Sequence, residues 1–332
     1  MSWVTRAYVV GLVAIAASVG PSSGAAAQLQ TIRVNGKEYI RLTDWAKAHN
    51  AEVAWTKKEE TLQLTTPRTR VSLSMDSRES DINGIAVWLL FPTVYRDGKV
   101  YLSEVDLRTT LLPLMNPPKN RPGANIKSIC LDPGHGGKDP GNCVGSNQEK
   151  KYVLLLAKEL RDQLNRAGFK VSLTRSSDSF IELPTRPDIA KKAGADLFVS
   201  LHFNATGNSH NTVQGAEVYA LTPAGAPSTN ANGEGAGSGS CAGNRFNDKN
   251  MFLAYQLQKS ITKGLGVEDR GVHRARFAVL RDAEMPAVMI EGGFMSHPSE
   301  GRKIFDASYR REMAKAIVNG LLSYKRQVEQ GS

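Results

Sequence analysis

Two hydrophobic rhythms divide the chain. From residue 30 to about 115 apolar residues come in short runs, at 31–34, 52–56, 61–65, 70–73, 86–90 and 100–102. Turn residues separate them, as in Asn35-Gly36, Asn83-Gly84 and Asp97-Gly98, which is the pattern of short strands. One helix is expected at 42–49, with Thr43 as its cap. From residue 127 the rhythm becomes alternating. Strands are expected at 128–131, 170–174, 196–201, 216–221, 277–280 and 286–290. Helices are expected at 149–167, 187–193, 250–265 and 309–327; in the first, Val153, Leu154, Leu156, Ala157, Leu160 and Leu164 recur with helical period. This order predicts an α/β fold: a mixed sheet of about six strands flanked by helices, preceded by a small strand-rich α+β domain.

Between the blocks, 116–126 is rich in proline and reads as a linker. The expected organisation is 1–27, 28–115, linker 116–126, 127–325 and a tail 326–332. Residues 222–248 are rich in Gly, Ala, Ser and Asn and form a long surface loop, read equally as a lid or as a solvated insertion. The first 27 residues carry Arg6, an apolar run at 7–19, and Ala25 and Ala27 in an A-x-A pattern. They read as a secretory signal peptide cut before Gln28, so no stable membrane insertion is expected afterwards. The expected location is secreted across the inner membrane, periplasmic or cell-wall associated.

The 42 Lys and Arg exceed the 32 Asp and Glu, a net charge of +10. That suits an anionic partner, but no basic run interleaved with aromatics points to nucleic acid. Of three cysteines, Cys130 sits in an apolar run as a small hydrophobe. Cys143 and Cys241 lie in Gly-rich loops and are expected to pair.

The polar residues at the strand ends carry the chemistry. The first strand runs into Asp132-Pro133-Gly134-His135, the strand at 197–201 ends at His202, and the strand at 287–290 ends at Glu291. Glu149 opens the helix after the first strand. In open α/β sheets, sites form beyond the carboxyl ends of the strands. Two imidazoles and a carboxylate make a catalytic zinc set with a position left for water, so His135, Glu149 and His202 are the candidate ligands of Zn2+. Glu291 is the candidate catalytic base. Asn204, Arg175, Arg186 and His273 are secondary polar candidates. For both arginines, ion pairs that fix a loop are the favoured reading; His210 is read as merely exposed.

Five strings then carry a family resemblance: ICLDPGHGGKDPGN, NQEKKYVLLLAKEL, VSLTRSSDSFIELPTR, ADLFVSLHFNA and RGVHRARFAVLRDAEMPAVMIEGGFMSHPSE. In this order they resemble the amidase-3 family of N-acetylmuramoyl-L-alanine amidases. The resemblance implies zinc-dependent hydrolysis of the amide between N-acetylmuramic acid and L-alanine in peptidoglycan. It places zinc on His135, Glu149 and His202 and catalysis on Glu291. Lys151 and Ser296-His297 depart from the family's usual residues. The strings NGKEYIRLTDWAKAHNAEVAW and VYRDGKVYLSEVDL resemble the copper amine oxidase N-terminal-like domain, a module of wall-associated proteins, with no copper implied here. Peptidoglycan is the expected partner, and a protein activator is left open. The alternatives are a non-catalytic peptidoglycan-binding or regulatory protein of the same fold, and a zinc peptidase cutting within the stem peptide.

Overall fold

A computed structural model describes residues 29–207, 212–230, 237 and 239–329. The expected signal peptide and His210 lie outside the described residues. The described residues divide into two compact units, one holding those up to 84 and 91–108, the other those of 85–90 and from 109 onward.

The first unit holds two antiparallel arrays. One pairs Thr31–Val34, Lys37–Arg41, Lys99–Ser103 and Val94–Arg96 in that order. The other is a meander of Glu52–Lys57, Thr61–Thr65, Arg70–Ser74 and Glu79–Ile82. Alternation sets its register: Leu62 faces Leu73 and Leu64 faces Val71, all buried. Asn35-Gly36 and Asp97-Gly98 turn two hairpins with positive φ at both residues, which suits the twist of the flanking strands. The helix is Leu42–Ala48, and Thr43 does not cap it; Arg41 holds the N-cap position without a side-chain cap bond. The strands Lys37–Arg41, Glu79–Ile82 and Val94–Arg96 go beyond the sequence expectation, because their polar residues mask the alternation.

The second unit is built on six strands: β1 Ser128–Pro133, β2 Lys170–Leu173, β3 Leu197–Asn204, β4 Ala216–Leu221, β5 Asp269–Ala275 and β6 Ala287–Phe294. Their order is β2-β1-β3-β6-β4-β5. All neighbours are parallel except β4 and β6. Strands β1, β3, β4 and β6 are buried almost throughout, as expected of strands covered on both faces. The helices that accompany them include α1 Glu149–Arg166, α2 Thr185–Lys192, α3 Asn247–Leu265, α4 Ala278–Arg281, α5 Pro298–Phe305 and α6 Ala307–Glu329. Helix α6 packs on α1 and α3, which lie against the sheet, while α2 and α4 pack together. Strand Ala86–Trp88 also clusters with this unit, Val87 pairing with Val272 of β5.

Several expectations change here. Residues 277–280 are not a strand. Leu280 and Arg281 donate their N–H groups to the Phe277 carbonyl, and this makes the turn α4. A short apolar run suits a buried helical turn as well as a strand. The strand is instead β5, Asp-Arg-Gly-Val-His-Arg-Ala, whose charges hid it. Its polar groups are satisfied inside: Arg274 donates to the carbonyls of Leu221 and Thr109, and Arg270 pairs with Glu217. Segment 116–126 is proline-rich but tied down. Asn120 N–H donates to the Val328 carbonyl, and Lys325 Nζ to that of Ile126. Helix α6 therefore runs beyond residue 325, with Val328 fully buried. Helix α5, not expected, explains one departure from the family pattern. His297 is its cap, and its Nδ1 accepts from Glu300 N–H at 3.3 Å.

The expected Cys143–Cys241 disulfide is absent, and all three cysteines are free. Cys143 sits exposed on a two-residue strand, whereas Cys241 is turned into the start of a 3-10 helix, its Sγ at 3.2 Å from Asn244 Oδ1. Each thiol is committed to its own local turn.

Candidate active site

At the carboxyl-terminal parts of β3 and β6, and just past the end of β1, the sequence-predicted residues converge. His135, Glu149 and His202 each offer a ligand atom, and these atoms lie within 4.8 Å of one another. His135 Nε2 is 3.1 Å from Glu149 Oε2, and His202 Nδ1 is 2.9 Å from Glu149 Oε1. The two rings meet edge to face with centroids 4.9 Å apart. Glu149 is the first residue of α1 and is buried. Burial pushes its carboxyl up, but the hydrogen bonds and charges of the two imidazoles outweigh that and hold it well below the usual carboxylate range. Asn142 N–H and Nδ2 also donate to Oε2, and Phe203 N–H donates to Oε1.

The loop carrying His135 is held against its own strain. His135 has φ +60°, costly for a residue with a side chain. Arg186 donates to the carbonyls of His135, Pro133 and Ile181, and pairs with buried Asp132 at 2.8 Å. Arg175 donates to the carbonyls of Pro133, Gly134, Ser177 and Lys150. Both arginines thus brace the loop, Arg186 with an ion pair and Arg175 through carbonyl hydrogen bonds in place of the ion pair expected of it. Asp139 Oδ2 lies 2.8 Å from His135 Nδ1, which turns Nε2 inward. Gly141 has φ +67°, and a Cβ there would stand 2.6 Å from the His135 ring and 2.7 Å from Glu149 Oε2.

Glu291 lies within β6 beside His202 of β3 and opposite Glu217 of β4. Its side chain is half-buried, and Oε2 is closed to solvent with no hydrogen-bond partner among the described residues. Burial, with the neighbouring charges of Glu149 and Glu217, raises its carboxyl well above the usual range. A carboxyl of raised proton affinity beside a buried His-Glu-His set is suited to moving a proton.

All four residues line one cavity of about 370 Å³. The same cavity is also lined by apolar residues, Leu183, Phe277, Ala278, Val279 and Met289. His273 is not among the lining residues. It is stacked between Trp88 and Tyr219 and lowered in proton affinity by burial. Asn204 caps its own turn, with Oδ1 accepting from Ala205 N–H. Two residues escaped the sequence reading. Glu217 reads only as the polar member of an apolar strand, yet it accepts from Tyr219 Oη at 2.6 Å and Arg270 Nε at 2.5 Å beside Glu291. Leu183 carries no signal of its own in the sequence.

Known proteins match both halves of the chain. Residues 129–323 match the family model described as N-acetylmuramoyl-L-alanine amidase, and residues 23–109 match the copper amine oxidase N-terminal domain. The N-acetylmuramoyl-L-alanine amidase AmiA of Escherichia coli is 35% identical over 231 residues, covering 62% of this chain and 79% of AmiA. LytC of Bacillus subtilis, of the same activity by name, is 34% identical over 200 residues, covering 60% of this chain and 36% of LytC. Among solved structures, the amidase from Clostridium difficile 630 superposes with a TM-score of 0.51 at 33% identity, covering 60% of this chain and 97% of that one. AmiC2 of Nostoc punctiforme gives 0.50 at 31%, covering 61% and 98%. With its larger unit matched almost throughout, the chain belongs to the N-acetylmuramoyl-L-alanine amidase family, hydrolases of peptidoglycan.

Proposed function

We propose that the chain cleaves the amide between N-acetylmuramic acid and L-alanine with zinc held by His135, Glu149 and His202, and with Glu291 as the proton carrier. The observation that carries this reading is the convergence of two imidazoles and one buried carboxylate beside a Glu291 oxygen that, among the described residues, has no hydrogen-bond partner. The donor set fits the ion: nitrogen and oxygen ligands in the number of a catalytic zinc site, with Asp139 and Asn142 orienting them from behind. A zinc ion held there would supply a Lewis acid for the amide carbonyl and lower the pKa of water.

The chain's own residues do the rest. Glu291 takes the proton of the attacking water and delivers it to the departing L-alanine nitrogen. Its raised proton affinity favours taking the proton from water, and the amine nitrogen, far more basic than a carboxylate, takes it back. The Asp132–Arg186 pair keeps His135 in its strained turn while the substrate enters.

Residues 1–27 are proposed to direct export, and the first unit to bind the wall, so that the enzyme works in the periplasm or on the cell wall. Digesting purified wall and identifying the new amino termini by mass spectrometry tests the reaction. Free L-alanine amino groups with intact glycan strands are expected. New reducing sugar ends, or cuts only between peptide residues, overturn it.

A further inference from the structure

Among the described residues only two large hydrophobic side chains are strongly exposed, Leu155 and Leu183. Scattered exposed leucines are ordinary, but Leu183 is 54% exposed and lines the cavity of the His-Glu-His cluster. Its backbone is fixed: Arg186 N–H donates to the Leu183 carbonyl, Thr185 N–H to that of Glu182, and Arg186 Nε to that of Ile181. In the same lining, Phe277, Val279 and Met289 bring the apolar core to the cavity surface. Phe277 is braced edge-on by Tyr219 at 5.2 Å. Arg186 is the one Lys or Arg in the lining, and it is consumed by Asp132 and three carbonyls. The apolar part of the lining therefore offers no counter-charge, and Leu183 there is a rigid apolar edge still open to water.

We propose that Leu183 and Phe277 form an apolar clamp that grips the small aliphatic groups flanking the scissile amide, selecting substrates that are uncharged there. This rests on the amidase reading and adds the residues that set its specificity. On binding, the open face of Leu183 is covered by the methyl-bearing carbons on the lactyl and alanyl sides. A substrate with glycine in place of the first alanine leaves that contact unfilled. One with aspartate there buries a charge without a partner.

Synthetic muramyl peptides with alanine, glycine or aspartate at the first position test it, on the zinc-loaded full chain and its Leu183→Ser and Leu183→Met variants. Leu183 is exposed, so both variants fold. The parent prefers alanine over glycine by on the order of tenfold in kcat/KM, as a methyl in an apolar pocket does. Leu183→Ser raises KM on the alanine substrate by roughly tenfold with kcat retained, and flattens the alanine–glycine preference. Leu183→Met restores both. A parent that cleaves, with Leu183→Ser showing the same KM and the same preference, overturns the clamp alone. A parent that frees no alanine amino group overturns the amidase reading with it.

Discussion

His202 and Glu291 are register partners on the parallel strands β3 and β6, and Glu217 faces Glu291 from β4 on the other side. Neighbouring strands stand about 4.8 Å apart, and paired residues point to the same face. The three side chains thus form a row whose spacing is set by backbone hydrogen bonds. The candidate base and one candidate ligand are held by the sheet itself, whereas His135 and Glu149 are delivered by a braced loop and a helix start.

Metal binding and turnover should separate along that row. Glu291→Gln keeps its zinc and loses about 100-fold or more in turnover, the scale of general acid–base catalysis. His202→Ala and Glu149→Gln lose the metal itself. Elemental analysis beside initial rates checks both; near-parental turnover in zinc-loaded Glu291→Gln would contradict the mechanism.

Asp139 touches His135 on the side away from Glu149. Asp139→Ala should lower zinc affinity by roughly 10–100-fold through loss of that orientation, with the fold unchanged. Competition with a chromogenic chelator measures it, and unaltered affinity would remove Asp139 from the site.

The Asp132–Arg186 pair is almost fully buried on both sides. Asp132 also accepts from Thr174 Oγ1 and Ser200 Oγ. Arg186→Met leaves that carboxylate buried without its cation and should cost about 3–5 kcal/mol of stability. Urea unfolding reads the loss. A change below about 1 kcal/mol would show that the pair is dispensable.

Burial pushes the Cys130 thiol up to about 12, while Cys143 is exposed. The folded value lies above the unfolded one, so Cys130 lowers stability only as pH rises past the ordinary thiol range toward 12. At mildly alkaline pH, iodoacetamide should therefore label Cys143 in the native protein and spare Cys130 until denaturant is added. Peptide mass mapping under non-reducing conditions checks this together with the free state of Cys241. A Cys143–Cys241 crosslink would contradict the structure.

The sequence by itself determined the parts that repeat locally. Buried parallel strands read as unbroken apolar runs, so β1, β3 and β6 stood out, and with them His135, His202 and Glu291 where the runs turn polar. Helix α1 announced itself by period, which placed Glu149. Only the tertiary structure decided the rest. Strand β5 is charged along its length and becomes an interior strand because Leu221, Thr109, Glu217 and the Trp88 and Tyr219 rings wait for its side chains. Residues 86–88 end up beside Val272 and cluster with the second unit, although their neighbours in sequence belong to the first. Leu183 and Phe277 lie far apart in the chain and share a cavity only after folding. Burial, charge compensation and cavity walls are relations between distant residues, and a local pattern of polar and apolar positions does not contain them.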